Sequence, residues 1–120
     1  MTLRIDRPSV VQSVEIVDRD LQLTIRLYDL IAPPPIEEPV LDLTLHDFSL
    51  EDEGMLSALL GATIWAVEQK RTGAALALTF EDDWNEIARI HCLRVSSKRR
   101  AFNDSDWRAL IAAYERLRRR

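Results

Sequence analysis

The segment 49–73, SLEDEGMLSALLGATIWAVEQKRTG, constrains this chain most, because residues 55–67 within it carry no charge and are almost all apolar or small. A helix of that character either sits in a deep core or offers a second face to a partner, and the flanks carry helix punctuation. Ser49 can accept from the first free amides of a helix, and Asp52 stands three residues on, where a capping box places an acid. Glu51, Asp52 and Glu53 put negative charge at the positive end of a helix dipole, while Lys70 and Arg71 put positive charge near the other end. Gly73 then supplies a residue able to turn left-handed and stop the helix. The segment reads as one central helix. A stripe of Leu56, Leu59 or Leu60, Thr63 and Val67 is enough to cover one sheet. Met55, Ala58, Ala62 and Trp65 then remain as apolar or small surface in excess, and they are the expected partner-binding residues. Gly61 costs about 1 kcal/mol against alanine inside a helix, and a small residue there lets another backbone approach.

Around this segment the pattern is β. Residues 9–17 are β-branched and roughly alternating, and residues 21–28 alternate strictly, with Leu21, Leu23, Ile25 and Leu27 on one face. Asp18, Arg19 and Asp20 make a tight reversal between them. Residues 40–48 alternate again; 74–80 and a less regular strand at 87–95 form a second hairpin around an acidic turn at 81–86, and Leu76, Leu78 and Phe80 are expected to face the central helix. Residues 31–39 hold four prolines, which remove amide donors and favour an extended connection. A basic connection, SSKRRA, precedes a second helix that starts at residues 103–106. In it Trp107, Leu110, Ile111, Tyr114 and Leu117 recur at spacings of three and four. The expected fold is α+β in a single domain over residues 1–120: an antiparallel sheet of about five strands with two helices, order β-β-β-α-β-β-α, helices mainly on one face.

Several kinds of chemistry find no support in the residues. Three glycines, none in a phosphate-loop pattern, argue against the common nucleotide enzymes. His46 and Asp47, with the acids at 51–53, form the densest set of possible cation ligands, but adjacent strand residues point to opposite faces and the acids already serve a helix start. His91 beside Cys92 diverges in the same way. Cys92 could be activated only by His46, if their strands were neighbours. No metal, no cofactor and no catalytic residue is assigned, and the chain reads as a non-enzyme. The single cysteine rules out an internal disulfide, the start MTLRIDRPS lacks a signal-peptide core, and no run is long enough to span a bilayer, so a cytoplasmic address and no membrane partner are expected.

Charge is uneven along the chain. The net charge is −4, but residues 1–60 set four arginines against twelve acids and residues 61–120 set twelve Lys and Arg against eight. The expectation is a protein–protein interaction domain of chaperone-like, immunity, inhibitor or adaptor type, acting as a homodimer. The alternative is a nucleic-acid binder using Lys98, Arg99 and Arg100 of the connection and Arg116 and Arg119 of the last helix, with nearby aromatics already committed to the core.

Overall fold

The computed structural model describes residues 2–27, 38–50, 54–82 and 85–118. Within these residues eight strands and two helices follow in the order β1 (Thr2–Val17), β2 (Asp20–Leu27), β3 (Val40–His46), β4 (Ser49–Leu50), α1 (Gly54–Leu59), β5 (Thr63–Thr72), β6 (Ala75–Glu81), β7 (Glu86–Cys92), β8 (Arg94–Arg100) and α2 (Asp104–Arg118). The protein is therefore α+β with an antiparallel sheet, as expected. The strand number and the order of elements differ from the expectation.

The largest departure is the central helix. Among the described residues of the segment 49–73 only 54–59 are helical, with Ser49 and Leu50 in β4 before them and Thr63–Thr72 forming β5 after them. Gly61 divides the two, with φ at +79°. That left-handed turn sends its N–H to Val11 O (2.8 Å), and Ala62 O then accepts from Val11 N (3.0 Å), so the chain leaves α1 already paired to β1. Past this point Thr63, Ile64 and Val67 are β-branched, and branched side chains lose rotamer freedom in a helix while packing well on a pleated surface. Ile64 and Val67 point inward and are buried, whereas Trp65 points out. Gly73 is left-handed too (φ +66°), but it forms a two-residue hairpin turn with Ala74 between β5 and β6, not a helix terminus. Lys70 and Arg71 lie on that hairpin arm. Residues 51–53 lie outside the described residues.

The sheet runs β4-β7-β6-β5-β1-β2-β3-β8. Its two ends are joined by the chain itself. β3 pairs with β8 from Val40↔Arg100 to His46↔Arg94, and β4 pairs with β7 at Ser49↔His91 and Leu50↔Ile90, all in one continuous register. β3 and β4 are thus one bent strand, β7 and β8 another, and the sheet closes on itself as a ring of six. Asp47 (φ +51°) makes the bend, with Leu93 N donating to His46 O at 2.9 Å opposite it. Closure removes most exposed edges. β8 and the two-residue β4 are the exceptions, since among the described residues β8 pairs with β3 alone and β4 with β7 alone.

The core lies inside this ring and not between a sheet and a helical layer. Val11, Leu21, Leu23, Ile25, Leu41, Leu43, Leu45, Ile64, Val67, Leu78, Phe80 and Ile90 fill it, with Leu59 of α1 inserted among them. Leu78 and Phe80 therefore meet other strands, not a central helix. The first hairpin is as expected, with Val17 opposite Asp20 across Asp18 and Arg19. β1, however, also takes in residues 2–8, which the sequence left as a lead, and the supposed basic connection around Lys98 is strand β8. Residues 31–37 of the proline segment lie outside the described residues; Pro39 O accepts Leu27 N–H at 2.7 Å where β3 begins.

Candidate functional site

The outer surface of the ring carries one helix, α2, and its attachment is polar. Asp106 is only 2% exposed. Its Oδ2 accepts from Arg100 Nη1 at 2.5 Å and from Asn103 N at 2.9 Å, and its Oδ1 accepts from Arg100 Nη2 at 3.0 Å and from Gln12 Nε2 at 2.8 Å. Asn103 Oδ1 accepts from Asp106 N in return (3.0 Å), a reciprocal cap at the helix start. Phe102 packs edge-on against Trp107 at 4.8 Å between ring centroids, the apolar clip that often flanks such a cap. Burial alone would push the Asp106 carboxyl up; Arg100, the Asn103 amide and Gln12 outweigh it and hold it below the ordinary carboxylate range. Arg100 is correspondingly pushed up, by the Asp106 hydrogen bonds first, and it also donates from Nε to Asp42 Oδ2 at 2.7 Å.

This anchor sets which way α2 faces. With Asp106 turned inward, the neighbouring helix face of Ala109, Leu110 and Ala113 looks toward Val10, Gln12 and Thr63 of the ring across a cleft of about 510 Å³ that also has Arg26 and Arg116 among its walls. Trp107, Ile111 and Tyr114 turn outward instead, 45, 54 and 50% exposed. The apolar stripe read from the sequence is real as a periodicity, but it does not cover the core. Trp107 and Tyr114 are not committed to the interior.

The residues singled out from the sequence are dispersed. Met55 packs partly buried against the core, Ala62 is half-buried, Ala58 is exposed and Trp65 is 38% exposed. They sit on α1, the turn after it and β5, not on one helix face. Of the basic set, Arg100 is spent on Asp42 and Asp106, and Arg99 donates from Nε and Nη2 to Glu38 O (2.9 and 2.7 Å). Lys98 and Arg116 are exposed, and Arg119 lies outside the described residues. His46 and Cys92 do not meet: Cys92 points into the core, its thiol pushed up by burial, whereas His46 lies on the outer face. His91 also faces outward. Among the described residues no group of three or more His, Cys, Asp or Glu is placed to hold a metal ion, and no helix is long and apolar enough to cross a membrane.

What the sequence reading missed is the pairing of Asp106 with Arg100. A signal was present, since an acid at the third helical position after Asn103 and an arginine just before the cap are the parts of a buried helix-start anchor. Compared with known proteins, the chain matches no family model, no curated protein and no solved structure.

Proposed function

We propose that this chain is a protein-interaction domain that works as a homodimer, joined through the outward face of α2. The observation that carries this reading is the stripe of Trp107, Ile111 and Tyr114, each about half exposed and spaced by four and three residues, the repeat of a helix–helix seam. Charge supports an antiparallel pair. α2 begins with Asp104 and ends with Arg116 and Arg118, so antiparallel packing brings each acidic start beside the other copy's basic end, and parallel packing would not.

The size of the stripe sets the affinity expected. Side chains of this kind bury roughly 150–250 Å² when fully covered, so half-exposed ones offer about 300 Å² of further burial per copy and about 600 Å² for a pair. At about 25 cal/mol per Å² that is on the order of 15 kcal/mol before association costs of about 4–15 kcal/mol. That leaves roughly 0–11 kcal/mol, and because about 600 Å² is well under the roughly 1,200 Å² of stable interfaces, the weak end applies and a micromolar or weaker dimer is expected. Sedimentation velocity from 1 to about 300 µM, with wild type and Ile111→Glu, tests it; the expected result is a concentration-dependent dimer that the substitution abolishes. A monomer at every concentration overturns the homodimer. A dimer lost with Trp65→Ser but kept with Ile111→Glu moves the interface to the α1–β5 surface and overturns the α2 seam.

A further inference from the structure

Three adjacent strands place Asp20, His46 and Ser96 in a row on the outer face of the ring. Asp20 opens β2 and lies level with His46 at the end of β3, one step beyond the pair Leu21↔Leu45. Ser96 on β8 is paired with Thr44, diagonally next to His46. The atoms are matched as well as the residues. Asp20 Oδ2 is 3.3 Å from His46 Nδ1, and His46 Nε2 is 2.8 Å from Ser96 Oγ. The other carboxylate oxygen, Asp20 Oδ1, accepts Asp47 N–H at 3.2 Å, which holds the carboxylate in place from the bend between β3 and β4.

We propose that Asp20, His46 and Ser96 form a carboxylate–imidazole–hydroxyl array that hydrolyses small activated esters, preferentially ones bearing an anionic group. This goes beyond the interaction reading and is independent of it. The arrangement is recognised by geometry and roles, not by sequence order. A proton on Nδ1, turned toward Asp20, leaves the Nε2 lone pair for the Ser96 hydroxyl. Ser96 Oγ attacks the ester carbonyl carbon while its proton passes to Nε2; the C–O bond to the alcohol breaks, and the alcohol leaves with that proton. Water then attacks the acyl-serine through the same base, releasing the carboxylic acid and restoring the hydroxyl.

Two further features suit the role. β8 has a strand on one side only among the described residues, and successive amides along a strand point to opposite edges. One of the two neighbouring amides, Ser96 or Ser97, therefore faces the open edge, where it can donate to a developing oxyanion. Arg94 and Lys98 stand two residues either side of Ser96, both exposed and on its side of the strand. Their charge favours an anionic acyl group and a negative tetrahedral intermediate.

The test uses the full chain and a fluorophosphonate probe, which phosphonylates an activated serine with loss of fluoride, followed by peptide mapping. The expected result is one adduct on Ser96 that Ser96→Ala removes, that His46→Ala and Asp20→Asn each slow at least tenfold, and that Ser105→Ala, at an exposed serine of α2, leaves unchanged. The mono-p-nitrophenyl ester of terephthalate, whose free carboxylate cannot reach its own ester, is then hydrolysed faster than the benzoate ester, a preference lost in Lys98→Ala. Absence of a Ser96 adduct under conditions that label a known serine hydrolase overturns the proposal, as does labelling that His46→Ala leaves unchanged, since the row is then a hydrogen-bonded strut between strands. Ser96 and Lys98 are exposed, so those variants retain the fold; a circular-dichroism melt of each variant checks this.

Discussion

Removing Asp106 should release α2 from the ring without unfolding the ring. The carboxylate accepts four hydrogen bonds, two from Arg100 and one each from Gln12 and Asn103, at 2.5–3.0 Å. Taking one partner from a buried ion pair costs about 3–5 kcal/mol. The lower end applies, because the Arg100 side chain is 26% exposed and keeps its contact with Asp42. About 3 kcal/mol is a factor on the order of 100 in the docking equilibrium. Hydrogen exchange followed by mass spectrometry reads this directly: in Asp106→Ala, amides of residues 104–118 should exchange about 100-fold faster while those of β2, β3 and β6 keep wild-type protection. Arg100→Ala should produce much of the same loss, and the double variant less than the sum of the two singles, with a coupling of about 2 kcal/mol. Unchanged exchange in α2 would refute the anchor, and an equal rise across the ring would refute the separation of helix from barrel.

The same carboxylate predicts an acid limb. Its folded pKa lies below the unfolded one, held down by Arg100 and its other donors against burial, so the unfolded state binds the proton first and stability falls as pH falls. The contribution of Asp106 is whole above about pH 4 and is lost as pH drops through the folded value; Asp106→Asn should flatten that limb of an acid titration of α2 protection. Gly61→Ala distinguishes two readings by sign. In a helix interior it would stabilise by about 1 kcal/mol, whereas at φ +79° with no neighbour within 4 Å of the new Cβ it should destabilise by about 1–2 kcal/mol in urea unfolding. Phe80→Ala, at a fully buried site, should cost about 3–5 kcal/mol with little change in denaturant slope. Cys92, whose thiol is raised by burial with only partial offset from the Arg94 amide, should resist a thiol reagent at pH 8 until urea opens the ring; stoichiometric labelling of the native protein would contradict that placement.

Strands with one wet face were legible from the sequence, because a period of two in apolar residues has one physical meaning. Leu21, Leu23 and Ile25, Leu41, Leu43 and Leu45, and Leu78 and Phe80 all point inward as their alternation requires. The α2 periodicity was equally legible, yet its direction was not. Periodicity states that Trp107, Ile111 and Tyr114 share a face; only the contacts of Asp106 with Arg100 on β8 and with the distant Gln12 on β1 decided that this face looks outward. Asp20, His46 and Ser96 were also invisible as a group, since their meeting depends on the register of three strands.

The segment 49–73 marks the boundary between the two kinds of information. Its sequence marked the reversal at Gly73 and placed Leu59 and Val67 among the inward residues, whereas Gly61, read as a costly residue inside a helix, is a turn. Whether the segment formed helix or strand was settled by tertiary pairing. Val11 offers the chain a backbone partner as it leaves Gly61, and the ring interior accepts Ile64 and Val67 from a strand. Local propensities of a few tenths of a kcal/mol per residue are smaller than the burial and hydrogen bonding won by closing the sheet, so the global arrangement chose the element.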